Sequence, residues 1–390
     1  MIWFWRSTTL WEFITARAFV GLGSGTFIPS ARRAILSNNP SNPGAAISLA
    51  GAADIGGFLI GMPIALGIKW LVSPPHSFRI LDAYGDGRPV GVGSDVLHDA
   101  IRAPHFPFLV FALLLLVVGP IATLIKEPDV HESHPGTAEV RAVLRIPLAR
   151  AGILVGLGFA ALIGTFDAIA SRFIRDLGGR EGAIMLVMGV LFVPLVLAMP
   201  SAGRLVDRLG PIRCGSTALL AGAVVVVGFG LTRNLVGIAA LGAIAAICFA
   251  VVYTAGQAGV AAGTLPLGLT GAGQGAYEAI YAIGSMTAAL VSPSLYRRTD
   301  ASLMWFVVAM ATAIAGVAAY LTAGKDRRAV PHIDDMPVHT APNPQRHRHL
   351  HGSDEEERPV TGAPHPGRPV GEPADGASPT ARDGVGQADG

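Results

Sequence analysis

Residues 183–231 read AIMLVMGVLFVPLVLAMP SAGRLVDRLGPIR CGSTALLAGAVVVVGFGL: two long runs without a charge, separated by a short polar hinge. A helix of about 20 such residues crosses the hydrocarbon of a bilayer, at ~1.5 Å rise per residue. Only helices and closed barrels satisfy their backbone groups there. A single run of this kind suits the buried helix of a large soluble protein equally well, so the decision rests on how often the pattern returns.

It returns along most of the chain. The same ruler places spans at Leu10 to Pro29, Ala46 to Leu71, Phe106 to Leu124, Ala151 to Ser171, Ala183 to Met199, Cys214 to Leu231, Val236 to Thr254, Gln274 to Ser292 and Leu303 to Ala323. Gly256 to Thr270 is weakly apolar, and either extends the seventh span or forms a re-entrant turn. A series of this length with little polar helix between its members has no soluble counterpart. The composition agrees: 51% of the 390 residues are hydrophobic and 14% charged, where a soluble domain carries about 25% charge. The sequence predicts an all-α membrane protein, a helical bundle of about nine transmembrane helices.

The spans fall into groups. Residues 1–125 hold three of them, 126–150 form a charged linker placed in the cytoplasm, and 151–323 hold six. Ser73 to His105 is a second sizeable loop. From Gly324 the chain changes character: ten prolines lie between Pro331 and Pro379, with an acidic run at Asp354 to Glu357 and the basic, histidine-rich run Arg346 to His349. Residues 324–390 bury too little apolar area to offset ordering and are expected to form a disordered cytoplasmic tail. With the linker and tail inside, twelve Lys and Arg face the cytoplasm and eleven face out, a difference that sets no orientation by the positive-inside rule.

Composition also excludes. A net charge of +2 without a basic patch interleaved with aromatics gives no reason for a nucleic-acid partner. Cys214 and Cys248 lack metal-ligand or disulfide-framework spacing, and every histidine lies outside the spans, so no metal and no cofactor are expected. No Walker loop, dinucleotide fingerprint or H-E-x-x-H zinc motif is present, and the chain is not expected to be an enzyme. Gly21, Gly23 and Gly25 fall inside an apolar span, where close packing or bending suits them better than phosphate binding.

Within the hinge, Gly203 and Gly210 suit close helix approach and a tight turn. Asp207 can accept bonds from the free N–H groups at a neighbouring helix start, where the dipole favours an anion. Arg204, Arg208 and Arg213 can hold that carboxylate or anionic lipid. A charged turn without any partner is the alternative.

The stretch Gly203 to Arg213 resembles the signature loop of the major facilitator superfamily, G-x-L-[AV]-D-R-x-G-x-[RK]-[RK], with Ile212 in place of one basic residue. Arg17 followed by Gly21, Gly23, Gly25 and Pro29 resembles the fourth helix of that family. Gly56, Gly57, Gly61 and Pro63 are similar to its antiporter-associated fifth-helix motif, with Met62 displacing the proline by one position. The resemblance, over about residues 8 to 323, implies a major-facilitator-like bundle in which the spans are helices four to twelve of twelve. It puts Arg32 and Arg33 at the cytoplasmic end of the fourth helix and makes Met1 to Trp5 the tail of a third. The protein is then expected in the cell (plasma or inner) membrane, multi-pass and monomeric, among lipids.

Ionisable and polar groups inside spans are functional candidates by default. Arg17 either holds an anionic group or pairs with a buried acid. Asp54 is a candidate proton carrier, its pKa expected to rise in low dielectric. Asp167 is expected to pair with Arg172 at the rim. Gln274, Glu278 and Tyr281 share one helical face by their spacing, and Tyr253 with Gln257 makes a second polar pair. The expected function is a secondary active transporter of small molecules, specifically a proton-coupled drug or metabolite exporter. The competing readings are a truncated, transport-inactive remnant and a non-transporting scaffold or sensor.

Overall fold

The computed structural model describes Trp3, Arg6 and residues 9–39, 41–72, 106–122, 137–179 and 181–324. These belong to the larger of two compact units, Met1–Pro337; the other, Val338–Gly390, lies outside the described residues. So do the loop Ser73 to His105, the first part of the linker, and the tail with its histidine-rich run.

Ten α-helices account for nearly all of the described chain: α1 (Leu10–Asn38), α2 (Pro43–Val72), α3 (Phe106–Ala122), α4 (Thr137–Arg145), α5 (Pro147–Asp176), α6 (Glu181–Leu209), α7 (Pro211–Leu231), α8 (Leu235–Thr264), α9 (Thr270–Arg298) and α10 (Ala301–Ala323). There is no strand among the described residues. Each expected span coincides with a helix. Seven are long and apolar enough to cross a membrane: those beginning at Pro43, Pro147, Ala183, Pro211, Leu235, Thr270 and Ala301. The two that fall short do so for separate reasons. Glu12, Arg17 and a run of glycines dilute α1, and in α3 the described side chains are those of Phe108–Pro120, all of them apolar.

Local chemistry sets the ends. Thr9 and Glu12 form a capping box at the start of α1, with Glu12 N donating to Thr9 Oγ1 at 3.3 Å and Thr9 N to Glu12 Oε2 at 3.2 Å. The Asn234 side chain accepts from Gly237 N at 2.7 Å, and Asp300 from Leu303 N at 2.8 Å, capping α8 and α10. The polar hinge proves much shorter than its composition suggests. Helix α6 runs through Arg204, Asp207 and Arg208 to Leu209. Gly210 turns the chain at φ 91°, and Pro211 opens α7. A positive φ is cheap only for glycine, and proline is preorganised for the first helical position. Gly256 to Thr264 continues α8, so that stretch extends the seventh span. In the linker, α4 turns Val143 into the bundle and leaves Val140, Arg141, Leu144 and Arg145 exposed.

Helices α5 to α10 pack as one bundle, with α5 against α8, α9 and α10, α7 against α8 and α10, and α6 against α8. Trp305, fully buried, centres an aromatic cluster with Phe166, Phe173 and Phe229 at 5.1, 5.6 and 5.4 Å between ring centroids. Apolar side chains also point outward, Leu186, Leu197, Val224 and Leu290 among them. That is costly in water and natural toward lipid tails.

Small residues let helices touch where side chains would hold them apart. A Cβ on Gly152 of α5 would stand 2.6 Å from Gly256 O and 2.7 Å from Val260 N of α8. Backbone cannot swing aside as a side chain can, so Gly152→Ala should cost about 1–3 kcal/mol by overpacking. The detergent-solubilised variant should show a clearly lower Tm; an unchanged Tm would contradict this contact. By contrast, a Cβ on Gly21, Gly23 or Gly25 meets nothing within 4 Å among the described residues. Of close packing and bending, the two expectations for that run, the open space among the described residues suits bending.

Candidate functional site

Helices α1 and α2 join the six-helix bundle at the end that carries the hinge. There Ser48 of α2 is fully buried, and Gly203 of α6 has no room for a Cβ against Ser48 Oγ and the Gly44 carbonyl. Because the helices come this close, Asp207 reaches the first turn of α2. Its Oδ1 accepts from Gly44 N at 2.8 Å and its Oδ2 from Ala45 N at 2.9 Å. Those N–H groups have no partner within their own helix, and the dipole adds attraction for the carboxylate. The arginines of the hinge do not take part: Arg204 and Arg208 are exposed, Arg213 is half-buried, and no ion pair joins any of them to Asp207 among the described residues. Leu36, Ile47, Val206 and Cys214 fill the apolar space beside this contact.

Deeper in the bundle a second contact joins α1 to α8 and α9. Arg32 pairs with Glu278 and donates from Nη2 to the Tyr253 hydroxyl at 3.1 Å, its guanidinium 5.8 Å from the centroid of the same ring. The pair is largely withdrawn from solvent, with side-chain exposures of 11% and 19%. Glu278 is the ninth residue of α9, about 12 Å from its start at ~1.5 Å per residue. Tyr277 and Tyr281 stack at 6.2 Å, and Phe159 of α5 lies 6.1 Å from both Tyr253 and Tyr281. Gln274 donates from Nε2 to the Gln257 carbonyl at 3.3 Å. The Tyr277 hydroxyl meets the Gln257 side chain, while Gln257 Oε1 and Gln274 Oε1 are buried without a hydrogen bond among the described residues.

Spacing puts Gln274, Glu278 and Tyr281 on one helix face and Tyr253 with Gln257 on another, and the packing of α8 against α9 brings the two sets together. Arg17 and Asp54 stand apart. Arg17 lies fifteen residues before Arg32, about 22 Å along the same helix, near enough to Asp167 of α5 for its charge to act there. The partner expected for Asp167 was Arg172, but Arg172 Nε instead donates to Asp176 at 3.0 Å, and the Tyr296 hydroxyl donates to the same carboxylate at 2.7 Å. The i,i+4 spacing aligns Arg172 with Asp176, whereas five residues turn Asp167 aside. Asp54 is exposed and makes no ion pair or hydrogen bond among the described residues. It lies one turn beyond Gly51, whose missing Cβ makes room for the Tyr253 ring.

Sequence reasoning missed Arg32 and Tyr277 as parts of this cluster. For Tyr277 the signal was present, three residues after Gln274 and four before Tyr281. Arg32 sits beside Arg33 at a helix end, where a charge reads as a topological marker.

No protein-family model matches the chain. It aligns with the multidrug resistance protein MdtG of Escherichia fergusonii at 27% identity over 231 residues, covering 56% of this chain and 49% of that protein. With MdtG of Escherichia coli K12/DH10B it shares 25% over 216 residues, 54% and 47% of the two chains. The chain thus spans about half the length of the curated relatives it matches. Among solved structures it superposes on the major facilitator superfamily transporter FucP in the outward conformation, with a TM-score of 0.58 over 75% of this chain and 71% of that one at 16% identity. The chain has the major facilitator superfamily fold. A single-residue variant of the E. coli fucose:proton symporter FucP superposes with a TM-score of 0.56 at 15% identity, covering 75% and 72%. As a major facilitator fold of several long apolar helices, the protein is a multi-pass membrane protein.

Proposed function

We propose that this protein moves small molecules across the membrane as a secondary transporter, exporting drug-like or metabolite solutes in exchange for protons. The observation that carries the reading is the way the two helix groups meet. At the hinge end α1 and α2 are bonded to the bundle through Arg32–Glu278 and Asp207, while toward the other end Arg17, Asp54 and Asp167 are exposed. Polar contacts that join the two groups at one end are of the kind that must form and break in alternating access about a central site. The grouping into residues 1–125 and 151–323, joined by the linker, is part of this proposal, as is the cytoplasmic placement of the hinge end. The aromatic and largely apolar lining around Phe159, Tyr253 and Tyr281 favours amphipathic solutes over sugars, and the names of the MdtG relatives point the same way.

Reconstitution decides it. Proteoliposomes carrying an imposed pH gradient should move a fluorescent amphipathic dye several-fold faster than empty liposomes, and a protonophore should abolish the difference. Equal rates in filled and empty liposomes across a solute panel would reject transport; rates that ignore the protonophore would reject proton exchange.

A further inference from the structure

We propose that Glu278, Tyr253, Tyr277, Gln257 and Gln274 form a binding site for organic cations of the guanidinium or primary ammonium class, and that Arg32 fills its mouth in this conformation. The inference rests on the transporter reading and names the solute class of that same site.

Three observations converge. The first is the chemistry of what is left over. Gln257 Oε1 and Gln274 Oε1 are acceptors without donors among the described residues, on side chains 1% and 0% exposed. The bond from Gln274 Nε2 to the Gln257 carbonyl fixes which way that amide points, so its oxygen is the free end. A buried acceptor without a donor is costly, and two amide oxygens beside a carboxylate call for a ligand rich in N–H groups. The second is the wall. Tyr253, Tyr277, Tyr281 and Phe159 present a continuous set of rings, whose negative faces attract cations. The third is that a cation is already there. The Arg32 guanidinium lies over the Tyr253 ring, bonds its hydroxyl and pairs with Glu278. Tyr277, within electrostatic reach of Arg32, shares a side-chain hydrogen bond with Gln257, and Gln274 lies one turn before Glu278 on α9, so both amides belong to the same cluster.

Arg32 is tethered to α1, and among the described residues it bonds Tyr253 and Glu278. A free cation of the same chemistry has no tether and can also reach the amide oxygens. It competes with Arg32 for Glu278, so its binding detaches α1 from α9. A neutral polyol would leave Glu278 unpaired on displacing Arg32, and an anion would meet the carboxylate directly.

The test is calorimetric titration of the purified, detergent-solubilised protein with benzylguanidinium, against neutral benzylurea and anionic benzoate. Arg32→Ala should bind benzylguanidinium at least tenfold more tightly than the parent. The double variant Arg32→Ala/Glu278→Gln should lose that gain, and benzylurea should bind none of them. Arg32→Gln serves if the alanine variant is not monodisperse, and the probe should raise the Tm of the arginine variant but not of the double variant. Equal or weaker binding on removal of Arg32 overturns the proposal. Benzoate binding that disappears with Arg32 also overturns it, by making the arginine the ligand-holding group. Binding without solute movement in liposomes would retain the cation site and reject transport; movement without binding would reject the site alone.

Discussion

Replacing Asp207 with alanine should expose Cys214 to a membrane-impermeant maleimide at a rate at least tenfold above the parent, both measured with Cys248→Ala. Cys214 is 5% exposed and packs with Leu36, Ile47 and Val206 where α1 and α2 meet the bundle, which makes the native thiol a reporter of that contact. The carboxylate takes two charge-assisted bonds from Gly44 and Ala45. A hydrogen bond to a charged group contributes about 1.5–3 kcal/mol, and the half-buried position of Asp207 sets the two bonds together near the lower end, about 3–4 kcal/mol. Alanine removes both acceptors and leaves two N–H groups at the start of α2 without partners. Asparagine keeps one acceptor oxygen and should give an intermediate labelling rate. If labelling of the alanine variant matched the parent, the bond between Asp207 and α2 would contribute nothing to closing this end.

That contact shows what could be read in the residues and what could not. A carboxylate in a short hinge between apolar helices already suggests a helix N-terminus as its partner. The partner itself lies 163 residues earlier in the chain, and nothing local in either segment records the other. Helix positions were legible because lipid demands unbroken apolar length, a property of each segment alone. Edges were less so. The chain continues as helix through Arg204, Asp207 and Arg208 because charged side chains at a span end can reach the aqueous boundary without breaking backbone bonds. Composition mistook those residues for a loop. The polar face Gln274, Glu278 and Tyr281 followed from spacing on one helix, whereas its completion by Arg32 depended on helix packing across 246 residues of sequence. For Gly21, Gly23 and Gly25 the sequence suggests close packing or a bend, and among the described residues no neighbour meets them.

An effect of similar size is expected at the ion pair, and it is a difference between variants rather than a single loss. Glu278→Leu leaves Arg32 charged in a place where its side chain is only 11% exposed. Breaking a fully buried pair costs about 3–5 kcal/mol. With exposures of 11% and 19% the cost here should be about 2–4 kcal/mol, because residual water and the Tyr253 ring still stabilise the cation. Arg32→Leu should cost a similar amount, since it abandons a carboxylate among aromatic rings. The double variant Arg32→Leu/Glu278→Leu removes both charges together and fills the space with apolar volume. Its Tm should return to within a few degrees of the parent, as replacement of a buried pair by apolar side chains is often neutral or stabilising. Three Tm values on purified protein complete the cycle, and the sign of the coupling is the informative quantity. Additive losses would mean that Arg32 and Glu278 contribute independently, and that no charge compensation holds α1 to α9. A double variant that recovers its Tm but moves no dye in liposomes would separate the two roles of the pair: dispensable for stability, required for a gate that must open as well as close.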